Sequence, residues 1–244
     1  MVGIFQGTKA EPIVDQLLKL PYSVRNQVQE VTLDMAHSMK HIVKTCFPKA
    51  TQVTDRFHVQ KLATEALQEL RIKYRWEAID QENEQIRQSK KTGQEYVAET
   101  FANGDSKKQL LARSRYLLYK SPDKWTISQR ERASILFKEY PEIKKAYKLV
   151  NNLRKIFNQV SDIKVAYTKL AHWYKEVEES GFKSFQTVAN SISINYRSIL
   201  NYFINRSTNA SAESFNAKIK AFRAQFRGVK NIEFFLFRLS RIFA

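Results

Sequence analysis

The chain has 244 residues, 43% of them hydrophobic, a single cysteine, and 41 lysines and arginines against 24 acids, for a formal net charge of +17. That apolar fraction is too high for a disordered chain, no apolar run reaches the roughly 18 residues a membrane helix needs, and a lone Cys46 excludes internal disulfides. What remains is a globular protein whose surface field attracts polyanions, nucleic acid first among them. It is expected to be cytoplasmic from its cysteine usage and from the lack of a signal-peptide profile in MVGIFQGTKA.

Six glycines and five prolines in the whole chain favour long helices over a turn-rich all-β fold. Residues 2–5 read as a strand. Residues 9–20 read as a helix, with Pro12 in the first turn, where a missing N–H is harmless. Residues 28–33 form a second predicted strand. The spacing of Met35, Met39, Ile42, Val43 and Cys46 predicts a helix over 36–47, stopped by Pro48, and Cys46 on that stripe reads as a small buried hydrophobe. Residues 50–54 are a third strand. A long helix starts near Arg56, with Val59, Leu62, Ala63, Ala66, Leu67, Leu70 and Tyr74 on one face. Alternating strands and helices over residues 1–75 predict a parallel sheet, which brings Asp34 and Asp55 out at its carboxyl edge.

Residues 76–205 show no convincing strand and read as an all-helical block, broken near Gly93, Gly104, Ser121-Pro122-Asp123, Pro141, Ser161-Asp162 and Gly181. Ser128 to Glu131 has capping-box spacing. Trp76, Trp125 and Trp173 are expected in the core of this block, and His172 is read as structural. Residues 206–244 form a third segment. It opens with polar N-cap types, continues as a helix over 210–226 with Phe215, Ile219, Phe222 and Phe226 on one face, and ends in an apolar helix after Gly228. Glu213 falls off that stripe.

Carboxylates at two strand ends and one on a later helix form a hard-oxygen set suited to Mg2+ or Mn2+, and two such ions serve phosphodiester chemistry. An Asp at a strand-to-helix junction equally reads as an N-cap, and a lone helical Glu as a solvated residue. His37 and His41 stand at i, i+4 but lack a third ligand for zinc. His58 sits one turn beyond Asp55, where it can fix Asp55, face a substrate or simply make a local hydrogen bond.

At these residues the chain resembles the ISL-type group of bacterial insertion-sequence transposases of the DDE class. The matching pieces are Gly7-Thr8-Lys9-Ala10-Glu11, Val31-Thr32-Leu33-Asp34-Met35, Phe47-Pro48-Lys49-Ala50 and Asp55-Arg56-Phe57-His58-Val59. The most specific is Asn209-Ala210-Ser211-Ala212-Glu213-Ser214-Phe215-Asn216-Ala217-Lys218-Ile219-Lys220, continued by Arg227-Gly228-Val229 and Phe234-Phe235-Leu236-Phe237-Arg238-Leu239. The resemblance implies a mostly helical α/β fold: a ribonuclease-H-like core carrying a large helical insertion before the last catalytic helix. It implies Asp34 as the second catalytic acid and Glu213 as the third, both as metal ligands, with Asp55 and His58 as support or further ligands. It also implies DNA as partner, in a homo-oligomer or beside a full-length transposase. Lys218, Lys220, Arg223, Arg227, Lys230, Arg238 and Arg241 are expected to contact phosphates. The family's first acid lies on a strand upstream of residues 2–5, so the expectation is a core truncated at its start, with about three strands and two of three acids, and inactive alone. A non-catalytic DNA-binding protein that modulates a full-length transposase is the competing expectation.

Overall fold

The structure is a computed structural model and describes residues 9–226 and 231–243. The predicted strand at 2–5 and the phosphate-contact candidates Arg227 and Lys230 lie outside the described residues. In chain order the elements are α1 (Ala10–Leu17), α2 (Tyr22–Arg25), β1 (Glu30–Leu33), α3 (His37–Cys46), β2 (Thr51–Thr54), α4 (Arg56–Thr92), α5 (Lys107–Arg113), α6 (Arg115–Tyr119), α7 (Ile127–Glu139), α8 (Pro141–Gln159), α9 (Ile163–Ser180), α10 (Lys183–Ile194), α11 (Tyr196–Asn205), α12 (Ala210–Gln225) and α13 (Ile232–Phe243). The described residues are therefore mostly helical, with one two-stranded parallel sheet. The chain forms two compact units: Met1–Arg56 with Arg197–Ala244, and Phe57–Tyr196. Residue 75, where the sequence put a boundary, falls inside α4, an unbroken helix of 37 residues.

In the first unit the strands pair in register, Glu30 with Thr51 through Leu33 with Thr54. The Thr51 N–H also donates to the Gln29 carbonyl at 2.8 Å, carrying the pairing one residue upstream. Parallel strands need a crossover, and α3 supplies it. Its apolar stripe packs on α1: Ala10, Val14, Ile42 and Cys46 are buried together, with Ile13, Leu17, Met39 and Phe47 around them. Burial pushes the Cys46 thiol up from its ordinary value, against the pull of nearby Arg25. That arginine donates from Nη1 to the Cys46 carbonyl at 2.7 Å and so satisfies one of the open C=O groups at the end of α3. The helix expected over 9–20 ends earlier, at Leu17, because Pro21 starts the short α2. At the far end of the chain Phe222 of α12 meets Phe235 of α13 at 5.5 Å between ring centres, and Leu239 is buried.

The second unit is all helical. Val59, Ala63, Ala66 and Leu67 continue the predicted α4 stripe into its core. Further along, Arg71 is buried and donates from Nη1 to the Leu111 carbonyl at 2.8 Å and from Nε to Gln68 Oε1 at 2.6 Å. Trp76 departs from expectation: it is 60% exposed. The buried face of α4 passes through Ala78, and two residues at ~100° each carry Trp76 to the opposite side. Trp173 is buried as expected and donates to the Leu149 carbonyl at 2.9 Å, while half-buried Trp125 donates to the Leu117 carbonyl at 2.8 Å and stacks on Tyr147. His172, read as structural, lies at the surface. The cap of α7 is Thr126, two residues before the box predicted at Ser128; Thr126 Oγ1 accepts from the Gln129 N–H and Gln129 Oε1 accepts from the Thr126 N–H, each at 3.3 Å. Asp105 is fully buried and accepts from Arg113 and from Arg132, the latter at 2.8 Å.

Candidate functional site

The site begins where the sheet ends. Leu33 and Thr54 are the last paired residues, so Asp34 and Asp55 follow side by side at the carboxyl edge, and the Asp55 N–H donates to the Leu33 carbonyl at 3.0 Å. Neighbouring strands lie about 4.8 Å apart, which sets the scale of that separation. The two acids are used differently. Asp34 is half-buried, and its Oδ1 accepts from the Ala36 N–H at 2.9 Å, an Asx-type turn that leads the chain into α3. Asp55 is fully buried, and its Oδ2 accepts from the Asn209 N–H at 2.8 Å.

Asn209 is the residue before α12, and its carbonyl accepts from the Glu213 N–H at 2.8 Å. The hydrogen bond that Asp55 accepts thus ties down the start of the helix that carries Glu213 in its first turn, where the helix dipole favours an acid. The Glu213 side chain is exposed. The connection spans 154 residues of sequence. Further polar bonds hold α11 beside the same strands. Thr54 Oγ1 and Ser198 Oγ are 2.8 Å apart, Asn201 Nδ2 donates to the Gln52 carbonyl at 2.9 Å, and Asn205 Nδ2 donates to Glu30 Oε2 at 2.9 Å. Sequence reasoning missed these three residues. Their spacing of three and four places them on one helix face, a signal a search for polar stripes would have found. Tyr202, on the same helix, has the guanidinium carbons of Arg56 and Arg206 5.9 and 5.7 Å from its ring centre.

His58 is half-buried in the first turn of α4, and His37 and His41 are exposed on α3. Lys218, Lys220 and Arg223 are exposed on α12; Arg238 and Arg241 are exposed on α13, each over a phenylalanine ring, Phe226 at 6.0 Å and Phe237 at 5.5 Å.

A family model described as transposase, of the DDE class and ISL3 type, matches residues 2–239. The chain belongs to this transposase family. A curated relative, the transposase for insertion sequence element IS1001 from Bordetella parapertussis, is 24% identical over 229 residues, covering 92% of this chain and 50% of its own length. The chain therefore spans about half the length of that relative. No solved structure matches this chain.

Transposases of this family generally use divalent metal ions. The carboxylate oxygens of Asp34, Asp55 and Glu213 are the right donor chemistry for such an ion. Among the described residues no three acids, histidines or cysteines stand together as a metal site. Asp34 at the sheet edge and Glu213 in the first turn of α12 are the residues that would hold such an ion, which would supply Lewis-acid chemistry at a phosphodiester. Among the described residues no helix is long and apolar enough to cross a membrane.

Proposed function

We propose that this transposase acts on DNA at insertion-sequence ends, cutting and joining strands, with Asp34 and Glu213 as its acids. The observation that supports this reading most is the convergence at one sheet edge. Two acids end adjacent parallel strands, and the buried one hydrogen-bonds the residue that starts the helix carrying Glu213. Open α/β sheets place their chemistry at such an edge. The wider fold is proposed to be ribonuclease-H-like, with the unit Phe57–Tyr196 as its helical insertion. In this reading Asp55 supports the site by positioning α12 through the hydrogen bond it accepts from the Asn209 N–H. Exposed Lys218, Lys220, Arg223, Arg238 and Arg241 hold DNA phosphates, which carry most of the affinity and no sequence information.

The deciding measurement is single-turnover nicking of end-containing DNA in manganese by the chain and by Glu213→Ala. Metal-dependent cleavage that Glu213→Ala abolishes is the signature of this reading. Equal cleavage by both overturns the role of Glu213. A second reading, a non-catalytic DNA-binding protein that modulates a full-length transposase, is favoured by the formal net charge of +17 and the exposed basic residues of α12 and α13. Salt-sensitive DNA binding with no cleavage by either protein is its signature.

A further inference from the structure

A concentration of positive charge around a concave surface lies within the all-helical unit. A groove of about 660 Å³ opens between the loop after α6 and one face of α8. It is lined by Lys120, Lys124, Lys148, Arg154 and Lys155, against a single acid, Asp123. Five cations to one acid far exceeds the 41 to 24 of the whole chain, so the groove is not an average sample of a basic surface.

The wall is built as well as charged. Arg154 is held by two of its own nitrogens: Nη1 donates to Asn151 Oδ1 at 2.6 Å and Nη2 to the Tyr119 carbonyl at 3.0 Å. The Tyr147 hydroxyl donates to the Lys120 carbonyl at 2.7 Å, and its ring stacks on Trp125, which fixes the loop that carries Lys120 and Lys124. Lys148 and Lys155 stand seven residues apart on the exposed face of α8, roughly 10 Å along the axis, which is about three nucleotide steps of a DNA strand. A second hollow of about 230 Å³ shares Lys155 and Gln159 and reaches Lys169, His172 and Glu176 on α9, so the excess of positive charge belongs to the first groove.

We propose that this groove is a second DNA-contact surface of the transposase, one that holds phosphodiester backbone on the helical unit. The choice of DNA over other polyanions rests on the transposase reading; the groove's affinity for a polyanion rests on its own charge and geometry. Lys124, Lys148 and Lys155 are exposed, and their replacement leaves the buried framework intact.

The test is the full chain carrying Lys124→Gln, Lys148→Gln and Lys155→Gln together, titrated with a short DNA duplex of arbitrary sequence between about 50 and 200 mM salt. A control carries Lys61→Gln, Lys73→Gln and Lys175→Gln, which removes the same charge from lysines that sit beside Glu65, Glu77 and Glu179. The slope of log affinity against log salt should fall in magnitude by about 2 to 3 in the groove variant, at ~0.9 per lost phosphate contact, and by less than about 1 in the control. A groove variant with an unchanged slope, or a control that changes as much, overturns the proposal. Neither cleavage nor an end sequence enters the readout. A chain that binds through the groove but never cuts would sink the catalytic reading and leave this one standing.

Discussion

Removing the Asp55 carboxylate should loosen one helix start far away in sequence. The side chain is fully buried, and Oδ2 accepts from the Asn209 N–H at 2.8 Å. A hydrogen bond to a charged group contributes about 1.5–3 kcal/mol, and Asp55→Ala forfeits it while leaving the N–H without that acceptor. If the loss falls on local opening of the segment 209–213, its amides should exchange roughly 10- to 150-fold faster, at about 1.4 kcal/mol per tenfold. Asp55→Asn retains an acceptor oxygen without the charge, so its effect should be about half as large in free energy. Hydrogen exchange resolved to that segment is the assay, with a urea melt to show that the variant remains folded. Amides in α8 serve as the internal reference and should not change. Exchange at Asn209 that is the same in Asp55→Ala and in the parent, with both folded, would refute the idea that this bond positions α12.

Glu213→Ala should change stability by less than about 0.5 kcal/mol in a urea melt, because an exposed residue off the apolar stripe supports little packing; a larger loss would mean Glu213 is structural. Burial pushes the Tyr174 hydroxyl up to about 12, and its oxygen is buried with no hydrogen-bond partner, so Tyr174→Phe should be neutral or raise stability by up to about 1 kcal/mol. A clear loss in that melt would show that the hydroxyl is bonded after all. Burial pushes the Asp105 carboxyl up, but the hydrogen bonds and charges of Arg132 and Arg113 outweigh it and hold the group below its ordinary value. A depressed folded value means stability that is present above the unfolded carboxylate range, near pH 4, and lost as pH falls through the folded value. Thermal melts between neutral and acid pH should therefore fall less steeply in Asp105→Asn than in the parent, and parallel curves would count against this role.

Much of the sheet edge was legible in the sequence because its signals are local. A short β-branched run followed by an acid and then an amphipathic stripe marks β1, Asp34 and α3, and the same grammar marks β2, Asp55 and α4. The use made of Asp55 was not legible, since its partner lies 154 residues on and pairing at that range leaves no periodicity behind. Asn201 and Asn205 share a helix face with Ser198, a spacing visible in the sequence, but an amide on a helix face reads as solvated until the strand it serves is in place. Trp76 failed differently. Its size argued for the core, yet helical phase, counted from Ala78, puts it outside. Asp105 drew no attention in the sequence because the arginines that neutralise it lie 8 and 27 residues away.

The division of the chain sets an order of events during synthesis. Met1–Arg56 leaves the ribosome long before Arg197–Ala244, which completes the same unit, while Phe57–Tyr196 is continuous and can fold in between. At ~5–20 residues per second the intervening stretch takes roughly 10–30 s to make. Through that interval β1, β2 and the buried acid Asp55 lack α11 and the start of α12. Closing a flexible loop of that length would carry an entropy cost of about 4 kcal/mol beyond a constant. An insert that folds on itself first shortens the flexible connection, so the timing of its folding bears on the entropic cost at which the sheet edge is assembled.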